Sequence, residues 1–161
     1  MNILKAIRAQ LAVDVGVTVI RADQTGDVPA PPYATYKLIS DRKGTGRENV
    51  THIDSEDQLI EERNQERQTT ISFTVYGTSH DNAFEVAKQL RKWFESRGFF
   101  FLEDMNVGIV QVSDVRNRSV FLIDSYDEKY GFDAMIRYIE SDETAVDYFD
   151  KVESEIIIDR E

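Results

Sequence analysis

The sequence has no cysteine and only two histidines among its 161 residues. Without cysteine, the chain has no disulfide, no thiolate nucleophile and no thiolate metal site, which favours a cytosolic origin. His52 lies in a polar segment and His80 at the start of a predicted helix, and we interpret both as surface residues rather than metal ligands. The residue types therefore predict no bound metal and no cofactor.

Long apolar runs are also missing from the sequence. No run approaches the roughly 20 residues that a membrane-spanning helix requires. The N-terminal residues lack the basic region and the continuous apolar block of a signal peptide. We therefore expect a soluble protein with no membrane partner. The glycines of GTGREN, residues 44–49, fit no phosphate-binding motif and predict a flexible turn.

Basic residues are scarce in the last quarter of the chain. The formal net charge is −11. Residues 1–118 hold 17 acidic and 15 basic side chains, whereas residues 119–161 hold 13 and 4. Affinity for nucleic acids comes from lysine and arginine side chains that neutralise phosphates, so we do not expect this chain to bind DNA tightly.

One group of charged residues leaves an enzymatic alternative open. Asp127, Glu128 and Lys129, with Asp114 upstream, match the Asp and (Asp/Glu)-x-Lys arrangement of metal-dependent nucleases. There, carboxylates hold Mg²⁺ and the lysine lies near the attacked phosphate. Such nucleases place these residues on a strand edge, whereas this group falls in a predicted turn. We therefore predict a charged hairpin turn and no enzyme, with a metal-dependent nuclease as the alternative.

The remaining patterns are those of an α+β domain. Apolar residues recur at helical spacing over residues 2–12 and again between Ser79 and Gly98, which predicts two amphipathic helices. Alternating or β-branched runs predict six to eight strands, at 17–22, 33–40, 69–76, 99–102, 107–113, 119–124, 131–139 and 152–158. Turns are predicted between them, the last around SDET, residues 141–144. We predict a single domain over residues 1–161, in which a mostly antiparallel sheet packs against the two helices.

Three segments depart from these patterns. The only three prolines precede the strand at 33–40, where they stiffen the chain and keep the preceding loop out of the sheet. Residues 42–68 contain few apolar residues and mix both charge signs, which predicts a solvated loop or a protruding polar arm. The aromatic residues of RGFFFLE, at 99–101, would point to both faces of a strand and would need cover on both.

Several of these stretches together resemble the tail terminator and neck terminator proteins of tailed bacteriophages. The resemblance rests on PPYATYKLIS, QTTISFTVYGTSHDNAFEVAKQLRKWFES, VGIVQVSDVRNRS and YDEKYGFDAMIRY, and covers roughly residues 29–140. It implies a small α+β subunit that forms a ring, usually a hexamer, which closes the upper end of the tail tube and joins it to the head connector. Another small phage accessory protein is the alternative.

The resemblance also implies partners and a location. The partners would be other copies of the chain, the tail tube protein, the neck or connector protein and, as a further candidate, the sheath protein. DNA would pass through the ring without being held tightly. The protein would be assembled in the host cytoplasm and would reside in the tail or neck region of the virion.

Two sets of residues receive roles from this resemblance. For contacts between subunits, we predict the rigid proline segment and the polar arm, at Pro31, Pro32, Tyr33, Arg47, Glu61, Arg63 and Arg67. For the acidic last quarter, we expect either a solvated face or a ring lumen. In a lumen, carboxylates would repel the phosphates of passing DNA, and the candidates are Asp142, Glu143, Asp147 and Asp150.

Overall fold

The computed structural model describes residues 2–44, 46–55 and 58–146 of the chain. The predicted strand at 152–158 lies outside the described residues, as do two of the predicted lumen residues, Asp147 and Asp150. Within the described part, no helix combines the length and the apolar character needed to cross a bilayer.

The helices lie at the N-terminus and in the middle of the chain. They are α1 Asn2–Val15, α2 His80–Lys92, a π-helical segment Trp93–Arg97, and α3 Phe99–Asp104. Ser79 is the N-cap of α2, because its side-chain oxygen accepts a hydrogen bond from the backbone nitrogen of Asn82 at 3.2 Å. Both helices that the apolar spacing predicts are confirmed, and α3 is an addition to them.

The strands form one large sheet and one small hairpin. The described residues contain β1 Thr18–Arg21, β2 Tyr33–Lys43, β3 Asn49–Ser55, β4 Gln58–Tyr76, β5 Gly108–Val112, β6 Arg116–Asn117, β7 Val120–Phe121, β8 Tyr126–Asp127 and β9 Lys129–Val146. The large sheet has the order β1-β2-β4-β9-β5, with β3 also paired to β4 and β6 to β9, whereas β7 and β8 pair only with each other. β1 runs parallel to β2 and the other described pairs are antiparallel. This arrangement confirms the predicted α+β domain with a mostly antiparallel sheet.

The core lies between the helices and one face of the large sheet. Alternate residues of β4, from Thr69 to Val75, point to this face and are buried, as expected for a strand with a side-chain period of two. The ring of Phe73 on β4 packs against Phe94 of the π-helical segment and Phe132 of β9, with ring centroids 5.2 and 5.3 Å apart. We call this the helix face of the sheet, and the opposite one the open face.

A buried tryptophan joins the helices to one another. The side chain of Trp93 is fully buried, and its Nε1 donates a hydrogen bond to Oδ2 of Asp14 on α1 at 2.6 Å. The backbone of Gly98 packs directly against this indole ring, because a Cβ at residue 98 would lie only 2.6 Å from it. The contact between α1 and the π-helical segment therefore depends on both the indole and the absence of a side chain at residue 98.

The strand predicted at 99–102 is wrong, because these residues form α3. In a helix, successive side chains are about 100° apart, so the three phenylalanines are distributed around the helix and not across two strand faces. Phe101 and Leu102 pack against the core, whereas Phe99 and Phe100 are exposed. Helix formation thus removes the need for cover on both sides.

The turn predicted at SDET, residues 141–144, is also wrong. β9 continues through these residues to Val146 because it stays paired with β4 as far as Leu59. Within residues 42–68, expected to form a loop or an arm, most of the chain is in strands, since it contains the end of β2, all of β3 and the first half of β4. Backbone pairing, and not a buried apolar face, holds these polar residues in strands.

The three strands at this end of the sheet form a distinct unit. It consists of 49–55 of β3, 58–66 of β4 and 139–146 of β9, and we call it the arm sheet. The buried residues of β4 begin only at Thr69, so the arm sheet extends beyond the core.

Candidate assembly surfaces

The arm sheet has one central strand and two outer ones. β4 pairs with β3 on one side and with β9 on the other, and both pairings run without a register shift. Ile53 of β3 lies opposite Ile60 of β4, which lies opposite Ala145 of β9. The outer edges of β3 and β9 are therefore level with each other on opposite sides of the unit.

The helix face of the arm sheet carries a group of ion pairs. Nε of Arg63 donates to Oε1 of Glu61 at 2.6 Å, and Nη1 of Arg63 lies 3.5 Å from Glu48. Nε2 of His52 lies 3.3 Å from the second oxygen of Glu61. The hydrogen bond from Arg63 lowers the pKa of Glu61 and raises the pKa of Arg63. Two of the predicted interface residues, Glu61 and Arg63, are therefore engaged within the chain.

Arg67 forms a second contact on this face, between β4 and β9. Its Nε donates to Oε2 of Glu140 at 2.6 Å, and this hydrogen bond is the main cause of the raised pKa of Arg67. Arg47 differs from these arginines, because it is exposed just before β3 and has no ion pair among the described residues. Among the described residues, Arg47 is therefore the predicted arm residue whose positive charge has no ion-pair partner.

The open face of the arm sheet is acidic. Glu62 of β4 lies directly opposite Glu143 of β9, and Nδ2 of Asn64 donates to Glu62 at 3.1 Å. Glu66 lies on the same face and accepts from Gln68 at 3.2 Å. Like charges directly opposite each other destabilise a strand pair, so this arrangement has a cost in the isolated chain.

Two of the predicted lumen residues lie on different faces of the sheet. Asp142 and Glu143 follow each other in β9, and successive side chains of a strand point to opposite faces. Asp142 lies opposite Arg63 on the helix face, whereas Glu143 lies on the open face. A single sheet surface can therefore present only one of the two.

The proline segment leads into a stacked pair of tyrosines. Pro31 and Pro32 are joined by a cis peptide bond and both are exposed. Tyr33 is buried and stacks on Tyr76, with ring centroids 4.7 Å apart and planes within 4° of parallel. Burial raises the pKa of Tyr33, with smaller contributions from Tyr76 and Asp127. The prolines are thus accessible to a partner, while most of the Tyr33 side chain is used inside the chain.

The hairpin of β7 and β8 presents apolar side chains to solvent. The strand predicted at 119–124 is only two residues long, Val120–Phe121, and a turn follows. Phe121 contacts Tyr126, but both are more than half exposed, and Ile123 is 99% exposed. The sequence signal was a run of four apolar residues, 120–123, that lacks the alternation of a half-buried strand.

The four residues of the nuclease alternative are engaged in separate contacts. Nζ of Lys129 lies 2.5 Å from Asp127, and Asp114 lies 4.0 Å from a nitrogen of Arg91. Glu128 contacts Nδ1 of His80 at 3.3 Å. In the part of the chain that the structure describes, no group of three or more His, Asp or Glu side chains is placed to hold a metal ion.

Comparison with known protein families gives a match over the whole chain. The sequence profile of phage neck terminator proteins matches residues 1–161, the whole chain. No curated protein matches the sequence. The profile match agrees with the resemblance found over residues 29–140 and extends it to both ends. The chain belongs to the family of phage neck terminator proteins, which are structural proteins of the neck region of the virion.

Proposed function

We propose that the protein forms a closed ring of identical subunits, a hexamer, at the head-proximal end of the phage tail. In this position it terminates the tail tube and joins it to the neck connector. Its partners are other copies of the chain, the tube protein and the connector protein. The observation that carries the proposal is the arm sheet in a chain of this family. Among the described residues, this three-stranded unit extends beyond the core with two free edges and little buried surface of its own.

The ring is tested by native mass spectrometry of the purified chain, alone and with tail tubes. We expect one assembly at six times the subunit mass of 18.5 kDa, either in solution or on the tubes. A chain that stays monomeric at high concentration and also in the presence of tubes contradicts the proposal. A chain that assembles only on tubes supports it, since the tube then acts as the template.

Within such a ring, we propose that the open face of the arm sheet lines the channel. The helices cover the opposite face of the same sheet, so a ring with its helices outside turns the open face inward. Glu62, Glu66 and Glu143 lie on this face. In a ring, each subunit adds its own carboxylates, which repel DNA phosphates over a Debye length of about 8 Å at physiological salt. The duplex then slides without sticking.

The position of Asp142 gives this proposal a matched control. Glu143→Lys reverses one charge on the open face and should slow or stall the passage of DNA out of assembled particles. Asp142→Lys makes the same change one residue earlier, on the helix face, and should leave DNA passage at the wild-type rate. Equal effects of the two substitutions on DNA ejection would exclude the open face as the channel lining.

A structural role also predicts no catalytic turnover. We propose that Asp127 and Lys129 form a charged contact at the start of β9 and take no part in chemistry. Incubation of the purified protein with DNA and Mg²⁺ or Mn²⁺ should leave the DNA intact. Cleavage that disappears in Lys129→Ala would instead establish the nuclease.

A further inference from the structure

In the part of the chain that the structure describes, the arm sheet has two unpaired backbone edges. Its central strand, β4, is paired on both sides, so only the outer strands can accept another strand. Among the strands that the structure describes, none pairs with the outer edge of β3, and β5 pairs with β9 only as far as Arg137. Residues 49–55 and 139–146 therefore each leave backbone groups directed outward.

These two edges lack most of the features that usually prevent strand addition. Natural edge strands are protected by proline, charged side chains (above all lysine), bulges or short length. Of these features, the two edges have only acidic side chains. Residues 49–55 and 139–146 contain neither proline nor lysine, and both pair with β4 without a register shift. β2 provides a contrast within the same sheet, because its register shifts between Leu38 and Ser40. The exposed apolar side chains of Ile53 and Ile139 make the two edges still more suited to pairing.

The geometry points to a main-chain pairing between 139–146 of β9 in one copy and 49–55 of β3 in the next copy. This inference rests on the ring proposed above and names the contact that closes it. The two edges are different and lie on opposite sides of the subunit, so the contact is head-to-tail, the type that generates rings. A sheet that continues from subunit to subunit would form the wall of the channel.

The direction of the new strand pair follows from the order of the strands. β3 and β9 both run antiparallel to β4, so they run parallel to each other within one subunit. In a ring of six, neighbouring subunits are related by a rotation of about 60°, which cannot reverse the direction of a strand. The pairing of β9 with the next β3 is therefore parallel.

Charge favours this contact over the pairing of two β9 edges. The β9 edge carries Glu140, Asp142 and Glu143 and no basic residue, and a two-fold β9–β9 pair would bring these carboxylates opposite one another. The β3 edge instead carries one carboxylate, Asp54, and begins next to Glu48, which lies near Arg63, and next to Arg47, which has no ion pair among the described residues. A β9–β3 contact thus brings fewer carboxylates together than a β9–β9 contact, and it places Arg47 near the acidic edge.

Disulfide trapping in the naturally cysteine-free chain tests this pairing. Thr51→Cys is combined in turn with Ser141→Cys, Glu143→Cys or Ala145→Cys, which all lie on the open face and scan the register in steps of two residues. A disulfide needs Cα atoms within about 7 Å, and within one subunit β4 separates the two positions by two strand spacings, about 9.6 Å. Cross-links within a subunit are therefore excluded.

We expect one of the three pairs to give, on mild oxidation, a ladder of covalent oligomers that ends at the size of the closed ring. Ala145→Cys alone should remain monomeric on denaturing gels, and so should Gln89→Cys with Ala145→Cys, since Gln89 is exposed on α2. A covalent dimer from Ala145→Cys alone would establish β9–β9 pairing and overturn the inference.

Native mass spectrometry of the same variants before oxidation separates the two proposals. If rings form but none of the three pairs gives more covalent oligomer than Gln89→Cys with Ala145→Cys, the proposed edge contact is wrong and the proposed ring still stands. If no variant and no wild-type protein forms a ring, either alone or with tail tubes, the proposed function fails and the edge contact fails with it.

Discussion

Gly131 lies in β9 at a point where the sheet leaves no room for a methyl group. A Cβ at this residue would lie 2.5 Å from the carbonyl oxygen of Phe73 and 2.7 Å from the guanidinium carbon of Arg118. That guanidinium spans β4 and β9, since it donates to the side chains of Ser72 and Asp133 at 2.8 and 3.0 Å. The substitution Gly131→Ala must therefore move either a backbone carbonyl in the centre of the sheet or a side chain that bonds to both strands.

The size of this effect follows from the two displaced contacts. Forcing one methyl group into a packed site costs about 1–3 kcal/mol, and each hydrogen bond that Arg118 loses adds about 0.5–1.5 kcal/mol. We expect Gly131→Ala to lower the free energy of unfolding by roughly 3 kcal/mol, which corresponds to a fall in Tm of about 6–12 °C for a domain of this size. Gly26→Ala is the matched control, because a Cβ at Gly26 meets no atom within 4 Å.

Urea unfolding followed by circular dichroism measures both variants. The protein concentration must be fixed, because assembly would make the midpoint depend on it. The control should stay within about 0.5 kcal/mol of the wild type. Removing Arg118 in the background of Gly131→Ala should restore only part of the lost stability, since the contact with the carbonyl of Phe73 remains. An unchanged midpoint for Gly131→Ala would refute the sheet packing described here.

Three further predictions concern single contacts. Asp14→Ala leaves the buried indole N–H of Trp93 without its partner and should cost about 1–3 kcal/mol in urea unfolding, whereas Asp14→Asn, which keeps an acceptor, should cost less. Ser79→Ala should cost about 1 kcal/mol by removing the cap of α2, and Ser79→Asp should retain most of the stability. Because Arg63 lowers the pKa of Glu61, this carboxylate stabilises the fold above its unfolded pKa, and its contribution is lost as the pH falls through the lowered folded pKa. Glu61→Gln should remove that acid-dependent part of the stability, and an unfolding series from neutral to acid pH that matches the wild type would contradict it.

The elements that local sequence predicts are those with a buried apolar face. α2 could be read from its apolar spacing and from Ser79, and the second half of β4 from the alternation over residues 69–76. β3 and the end of β9 have polar residues on both faces, so their sequences contain no periodic signal. Their strand conformation comes from pairing with β4, a contact between distant parts of the chain. For the same reason, the turn expected at 141–144 proved to be strand.

The candidate assembly surfaces could be predicted only in part. Glu61 and Arg63 are two residues apart, and their contact follows once residues 58–66 are known to be a strand. The contact of Arg67 with Glu140 joins residues 73 positions apart, and no local pattern signals it. Likewise, the register of β9 against β4 is needed to assign Asp142 to the helix face of the sheet and Glu143 to the open face. Sequence could thus identify charged residues for assembly but not their partners or their faces.

Electron cryomicroscopy of the neck in intact virions tests the central claim most directly. We predict a closed ring of six copies between the tail tube and the connector, with β9 of each copy beside β3 of the next and with Glu143 directed into the channel. A virion neck in which this chain is absent, or is bound as isolated copies on the outside of another ring, would contradict the account.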